Sequence, residues 1–445
     1  MTEVAIIVPG IMGSVLSLDN EVIWPGPVNS LVLPYNKMQE LMREDLVPTD
    51  CIRTFSVTVQ YQSLIDDLMT CGFSEAENTL VVAAYDWRKD NVLAAETLAG
   101  HIDRAVQNHG AAVEISLVAH SMGGLVSRYY LESGAFNTRP GFGRVRRLIT
   151  LGTPHNGAAL ALPMILGFQK QLFLSADQVL QAASDPRYPA AYQLLPPRSD
   201  PFAWRGDAGG SVLDVYDPDV ARQLGLIAAN LAAAERFRAG LDAARRPAAT
   251  RYFCFAGTRQ STATHAVVRP SGAARLQPFG IEDKDGGDGT VPTWSGFLPG
   301  IERKFVGGKH SRIYQNEILR HVLAVILGKP GLLAGIPDHV EVAVRDAVVE
   351  PEDAVHVAIG LGRSIQDFDG VLTVERAQTD PASGKAVGFD PPQSVYPLEY
   401  KGVGVEALSL TFKAPARPGF YRVALRNDIG ANPSGYDELI VQQTI

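Results

Sequence analysis

The sequence predicts an α/β protein built on a parallel sheet, with a second, all-β domain behind it. Three observations carry this reading. Through the first two-thirds of the chain short apolar runs alternate with amphipathic helical stretches, the pattern of strands joined by crossover helices. After LGKPGLLAGIPDH the helical spacing disappears, and apolar–polar alternations broken by Pro, Gly and Asp replace it. Finally, 445 residues exceed one ordinary compact domain, so two are expected, 1–335 and 336–445.

The elements follow in order. Val4 to Val8 reads as a buried strand that ends in Pro9-Gly10, and Thr79 to Ala84 as a second, running into YDWRKD. A helix follows with Leu98, Ile102 and Val106 on one face and Gly110 as its C-cap. Val113 to Val118, Val145 to Leu151, Arg251 to Ala256 and Arg303 to Val306 supply further strands, and Asn316 to Leu327 a last helix. Between Gly157 and Ala249 the alternation breaks. An insertion there, residues 158–249, is expected to cap the carboxyl edge of the sheet, and residues 37–71 to form a smaller lid. Beyond residue 336, VEVAVRD, AVHVAIGL, LSLTF and FYRVAL suggest an antiparallel β-sandwich of ~100 residues, immunoglobulin-like at PGFYRV.

Composition excludes several classes. A formal net charge of −8 argues against nucleic acid as a partner. Three cysteines, Cys51, Cys71 and Cys254, cannot make a complete disulfide framework, and none has metal-site spacing with histidine. The DKDGGDG stretch lacks the ligand spacing and terminal Glu of an EF-hand loop. No metal or organic cofactor is therefore expected. MTEVAIIVPG has no basic region before an apolar core, and no apolar run approaches the ~20 residues that span a bilayer. The expected compartment is the cytoplasm, although export without a cleaved signal would leave the same sequence.

Chemistry concentrates at VEISLVAHSMGGLVSRYY. A buried strand passes without a polar linker into a helix, and Ser121 sits at the turn with Ala119, Gly123 and Gly124 around it. That is the setting of a serine nucleophile, in which small neighbours let strand and helix close up and the helix N-terminus faces a developing oxyanion. A base and an acid must follow in the chain order Ser, acid, His. Of nine histidines, His310 and His321 satisfy that order outside the β domain. His321 falls inside the last helix, whereas His310 stands in a loop after RKFV, so His310 is the expected base. The acid should come from IEDKDGGDGTVP, where Asp283, Asp285 and Asp288 are available and Asp288 lies between glycines. An aspartate holding an Asx turn would give the same local signal at Asp288. Oxyanion donors are expected from the backbone of Met122, after the nucleophile, and of Met12, in the loop VPGIMGSVL.

Taken together, VPGIMGSVL, AAYDWRKD, VAHSMGG, LGTPHNGA, YQLLPP, GDGTVP and KHSRIYQNEILRHVLAVILG stand in the order found in the lecithin:cholesterol acyltransferase-like family. The chain resembles that family, which includes lysosomal phospholipase A2-type enzymes and phospholipid:diacylglycerol acyltransferases, over roughly residues 4–328. The resemblance implies an α/β-hydrolase fold with a cap and lid over a lipid pocket. It implies Ser121 as nucleophile, Asp288 as acid and His310 as base, with Met12 and Met122 at the oxyanion. Extracellular members carry a lid disulfide. Here Cys51 lies in the lid region, but Cys71 falls on the following helix.

The expected function is a serine-dependent lipid-ester hydrolase of phospholipase or lipase type, acting through an acyl-enzyme. An O-acyltransferase passing the acyl group to an alcohol is the alternative, and a catalytically silent binding protein a third. The expected partners are a lipid substrate at a membrane surface and a protein met through the β-sandwich. Trp87, Arg88 and His155 read as structural. LPMILGFQKQLFL fits either cap core or a lipid-contacting surface.

Overall fold

Six strands pair in parallel in the order β2-β1-β3-β4-β5-β6: β1 (Glu3–Val8), β2 (Leu80–Val82), β3 (Glu114–His120), β4 (Val145–Leu151), β5 (Arg251–Thr258) and β6 (Arg303–Gly307). They are seen in a computed structural model that describes residues 2–26, 35–55, 58–206, 210–271, 275–329, 340–380, 386–426 and 435–442. Register aligns the carboxyl ends. Val8 lies opposite Ala119, His120 opposite Leu151, and Thr258 opposite Gly307. The loops that follow β1, β3, β4, β5 and β6 are thereby delivered to one edge of the sheet.

Both faces of the sheet are covered, which is why its strands are continuous apolar runs rather than alternations. On β1, Val4, Ile6 and Val8 pack on one side with Leu98 and Ile102 of helix α2 (Asn91–His109) and Val126 of α3 (Met122–Glu132). Ala5 and Ile7 face the other side, against Leu64, Ile65 and Leu68 of α1 (Gln62–Thr70) and Leu319 and Leu323 of α4 (Glu317–Ile326). The caps match the expected signals. Asp90 accepts from Val92 N–H at the start of α2, Gly110 ends it at φ 82°, and Asn316 accepts from Leu319 N–H at the start of α4.

Two insertions cover the carboxyl edge. The larger has its own core, in which Leu162, Ile165 and Leu166 meet Tyr192, Leu195, Phe202 and Leu231. That core also takes Ala266 and Val268 from a hairpin, Gln260–Ser271 with Arg275–Gly287, which the sequence reading left unassigned. The smaller insertion adds the strand Val47–Cys51 to Ser14–Leu18, which in turn pairs with Glu21–Trp24. Arg88 ties this lid to the sheet. Its guanidinium meets both carboxylate oxygens of Asp86 (2.6 and 2.8 Å) and donates to the backbone carbonyls of Leu41 and Arg43. Trp87 packs edge-on against Trp24 at 5.3 Å. Cys51, Cys71 and Cys254 are buried free thiols.

The expected boundary near Ile336 lies outside the described residues. Beyond it stands an all-β domain in which two strands are far longer than the short runs the sequence suggested. Ala354–Thr379 and Ser394–Lys413 run antiparallel along most of their length. The other edge of Ala354–Thr379 pairs first with Glu341–Val344 and then with Gly419–Arg426. Gly435–Val441 pairs antiparallel with Gly419–Arg426 and parallel with Val348–Val349, so the sheet is mixed rather than purely antiparallel. It curls around Val357, Ile359, Leu372, Tyr421 and Leu439. Among the described residues no helix is long and apolar enough to cross a membrane.

Removing one member of a buried ion pair typically costs ~3–5 kcal/mol, because the partner charge is left uncompensated. Arg88→Ala should accordingly lower unfolding stability by that order in a urea titration. A loss below ~1 kcal/mol, the range of surface pairs, would show that Arg88 does not anchor the lid.

Candidate active site

Ser121 is the N-cap of α3 and has φ 53° and ψ −126°, a backbone conformation that costs a non-glycine residue energy. Strand and helix meet here with no linker, and the neighbouring glycines make room for the turn. A methyl group at Gly123 would stand 2.2 Å from the Val8 carbonyl oxygen, and one at Gly124 would stand 2.0 Å from Thr153 Oγ1. Any side chain at either position would push the helix off the sheet.

His310 and Asp288 reach Ser121 from two other loops. His310 Nε2 lies 2.8 Å from Ser121 Oγ, and His310 Nδ1 lies 2.8 Å from Asp288 Oδ2. The carboxylate accepts from Nδ1–H, which leaves Nε2 unprotonated and able to accept the serine proton. Asp288 is 1% exposed, and its other oxygen accepts from Thr290 N–H (3.0 Å) and Val291 N–H (2.7 Å). The Asx turn and the partnership with histidine, alternatives in the sequence, are thus both present, one on each oxygen. Asp288 also accepts at its backbone carbonyl from His310 N–H at 2.8 Å. Asp283 and Asp285 are exposed, and His321 lies on α4.

Two further glycines floor this pair. A Cβ at Gly152, φ 59°, would come within 3.0 Å of Asp288 Oδ2 and 3.1 Å of His310 Nδ1, and one at Gly257 within 2.4 Å of Asp288 Cβ. They are the central residues of LGT and AGT in part for this reason, a role the sequence analysis did not assign.

The loop after β1 crosses directly over the serine, since a Cβ at Gly10 would stand 2.8 Å from Ser121 Cβ. Its backbone is pinned along its length. Tyr85 Oη donates to the Pro9 carbonyl (2.7 Å), Trp24 Nε1 to the Met12 carbonyl (2.9 Å), and Ile52 N–H to the Gly13 carbonyl (2.9 Å). Gly10 N–H donates to Tyr61 Oη at 2.9 Å. Met12 is held at φ 59°, another strained non-glycine residue. Met122 opens α3, and the first N–H groups of a helix have no intrahelical acceptor. Strain at Met12 and the helix start at Met122 suit the two expected oxyanion donors.

Tyr61 and His120 extend this network, and sequence reasoning missed both. Tyr61 Oη lies 2.8 Å from His120 Nδ1, and His120 Nε2 lies 2.9 Å from the His310 carbonyl. A carbonyl only accepts, so Nε2 carries the hydrogen and Nδ1 accepts from the tyrosine hydroxyl. The chain therefore runs in one direction, from Gly10 N–H through Tyr61 and His120 to the backbone of His310. Burial lowers the His120 pKa to about 3, so the ring is neutral. His155 is also buried, its pKa pushed well below the usual histidine value by desolvation and then by Arg128, in keeping with a structural place.

A parallel α/β sheet bearing a serine at a strained strand-to-helix turn, met by an Asp–His pair from later loops, defines the α/β-hydrolase class. The lecithin:cholesterol acyltransferase family model matches residues 52–208, a stretch that includes the Ser121 turn and the LGTPHNG loop, so the resemblance read from the motifs holds there. Among solved structures the chain is similar to one titled as a Tle4–Tli4 complex (16% identity, 75% of this chain and 100% of that one, TM-score 0.49). It is also similar to the lin2722 product of Listeria innocua (13%, 74% and 95%, 0.33) and to phospholipase PlaB of Legionella pneumophila (11%, 98% and 88%, 0.24). A search of curated proteins returned no match.

The two-sided use of Asp288 gives a clear expectation. Asp288→Asn should reduce kcat about 10⁴-fold, because an amide in its place favours the wrong imidazole tautomer. Asp285→Asn, exposed and away from His310, should stay within twofold of wild type. Steady-state kinetics on a soluble ester decide this, and a reversed order of effects would move the acid to Asp285.

Proposed function

We propose that the chain is a serine-dependent lipid-ester hydrolase acting through an acyl-enzyme on Ser121. The observation that carries this reading is the relay from Asp288 through His310 to Ser121, 2.8 Å at each link. In the reaction, His310 Nε2 takes the Ser121 proton as Oγ bonds to the ester carbonyl carbon and the carbonyl π pair moves onto oxygen. The Met12 and Met122 N–H groups hold that oxyanion. Asp288 accepts from Nδ1–H and stabilises the imidazolium. The carbon–oxygen bond to the leaving alcohol then breaks, and His310 returns the proton to the alcohol oxygen. Water repeats the sequence on the acyl-enzyme and frees Ser121. An alcohol hydroxyl in place of water would make the same machinery an acyltransferase, and the matched family is named for such a transfer.

That family name, with lecithin in it, also supports a lipid acyl donor, and the cap offers a physical reason. The run LPMILGFQKQLFL serves two purposes. Leu162, Ile165 and Leu166 belong to the cap core, and Leu166 is only 9% exposed. Phe168 (44%) and Leu172 (38%) stand in solvent on either side of exposed Lys170. The root of this turn is tied to the site, because Phe173 packs 6.1 Å from the Trp24 ring whose Nε1 holds Met12. An apolar pair beside a lysine suits the boundary between acyl chains and charged head groups. Each buried CH₂ of a bound acyl chain contributes about 0.8 kcal/mol, so long chains should be preferred.

Incubation with a mixed lipid extract followed by mass spectrometry tests the reaction. Fatty acid and a deacylated lipid should appear, Ser121→Ala should abolish both them and fluorophosphonate labelling, and labelling that persists would remove Ser121 as nucleophile. For the cap turn, Phe168→Ser with Leu172→Ser should reduce turnover of phospholipid vesicles at least tenfold while a short soluble ester is cleaved normally. Leu166→Ser should instead reduce both through lost stability. Equal loss on vesicles and soluble ester from the exposed pair would place those residues in the fold rather than at the lipid.

A further inference from the structure

We infer that the C-terminal β domain positions the base: Asp437, gripping Lys309 and Arg312 on either side of His310, sets the loop that holds the imidazole over Ser121. This rests on the proposed role of His310 and adds a function for the domain behind it. Lys309 Nζ lies 2.8 Å from Asp437 Oδ2, and Arg312 Nη2 lies 3.0 Å from Asp437 Oδ1. Arg312 also pairs with Glu438 and donates to the Tyr436 carbonyl at 3.4 Å. Asp437 and Glu438 are 3% and 5% exposed, so two carboxylates and two cations balance in a nearly dry contact. The backbone of the β domain completes the carboxylate. Val344 N–H donates to Asp437 Oδ2 at 2.6 Å, and Glu438 N–H to Oδ1 at 2.8 Å.

The contact extends from the His310 turn towards the acid as well. Gly308, at φ 121°, lies against Glu341, since a Cβ there would come within 3.0 Å of its carboxylate. On the acid side, Arg345 pairs with Glu282, which lies on the strand Arg275–Gly287 that leads into Asp288. Strands Glu341–Val344 and Gly435–Val441 therefore touch the approach to His310, and Arg345, just after the first of them, touches the approach to Asp288.

The chemistry of the contact separates positioning from mere adhesion. Two domains adhere more cheaply through apolar surface, because buried charges carry a desolvation penalty that their attraction seldom exceeds. What a buried carboxylate with four donors adds is direction: it fixes where Lys309 and Arg312 begin and end the turn that contains His310. Displacement of a reacting group by 1 Å costs about 10²-fold in rate.

The test uses the full chain, with Tm, kcat and KM on a soluble ester, and the rate of fluorophosphonate labelling at Ser121. Asp437→Asn should lower kcat and the labelling rate together, by about 10²-fold, with KM within twofold of wild type. Asp437→Glu, which keeps the charge, should recover part of that loss. Leu372→Ala, which opens the buried core of the same domain away from Asp437, should lower Tm yet keep kcat within twofold at temperatures where the chain is folded. Lys309→Met gives a second route should Asp437→Asn fail to fold, and it should show the same kcat loss at unchanged KM. Normal kcat in a folded Asp437→Asn or Lys309→Met chain, beside an inactive His310→Ala, overturns the positioning role alone. A kcat loss in Leu372→Ala equal to that in Asp437→Asn also overturns it, because any damage to the domain would then suffice. An active His310→Ala would instead overturn the relay on which the role depends.

Discussion

The backbone of Ser121 is the constraint around which the rest of this fold is arranged. A non-glycine residue at φ 53° persists only where its surroundings over-determine it. Here the surroundings are β3 and α3 themselves. Ser121 N–H is bonded to the Leu151 carbonyl, its own carbonyl to Gly124 N–H, and the helix lies so close to β1 that Gly123 has no room for a Cβ. Relaxing the turn would lift α3 off the sheet and expose Val126 and Tyr130, both fully buried. The strain is therefore maintained by apolar packing of several side chains at roughly 1.5–3 kcal/mol each, against a local cost of order 1–3 kcal/mol. The packing wins.

Holding one residue is not sufficient, because the base and the acid arrive on separate loops. Their mutual geometry depends on polar contacts that must survive a change of charge at His310. His120 shows how. Its ring centroid lies 4.9 Å from that of His310. Were it charged, it would oppose protonation of His310 by about 3 kcal/mol at an effective dielectric of 20, roughly a hundredfold in rate. Burial keeps it neutral, so it can bond to the His310 backbone without opposing the imidazolium. The same neutral ring hands its other nitrogen to Tyr61, which holds Gly10. Loop and base are thus joined by groups that stay uncharged throughout.

The catalytic sheet was legible in the sequence because strands buried on both faces leave no polar positions to blur the pattern. AIIV and ISLV could be little else. Ser121 stood out because strand ran into helix without a linker. Chain order reduced nine histidines to His310 and His321, of which His310 lay in a loop, while Asp288 was one of three aspartates in IEDKDGGDGTVP until the family resemblance implied it. Tyr61 carried no local signal, since its partner His120 lies 59 residues away. In the hairpin at Gln260–Ser271 and Arg275–Gly287, the exposed charged run Glu282–Asp285 carries no apolar alternation and so hid the strand. In the β domain, Ser394–Lys413 has few buried positions, so most of its length lacks the alternation by which a strand is recognised. Its short apolar end, LSLTF, was read as a separate strand.

The cap run shows a different limit. Apolar content alone could not separate core from contact surface in LPMILGFQKQLFL, because both demand the same residue types. The backbone divides them. Helix Ala161–Ile165 turns Leu162 and Ile165 inward, and the chain then reverses, with Gly167 at φ 72° and Leu172 at φ 51°. An isolated bridge between Gln171 and Leu174 closes the reversal. Phe168 lies outside it and Phe173 inside, five residues apart and opposite in exposure. A reversal built with a strained leucine at its tip is an expensive way to make a surface loop, since glycine or asparagine would adopt the same backbone at less cost. Leu172 remains 38% exposed, so packing within the fold offsets only part of that cost. The exposed remainder is what the proposed lipid contact would cover, since apolar side chains flanking a lysine suit the boundary between acyl chains and charged head groups.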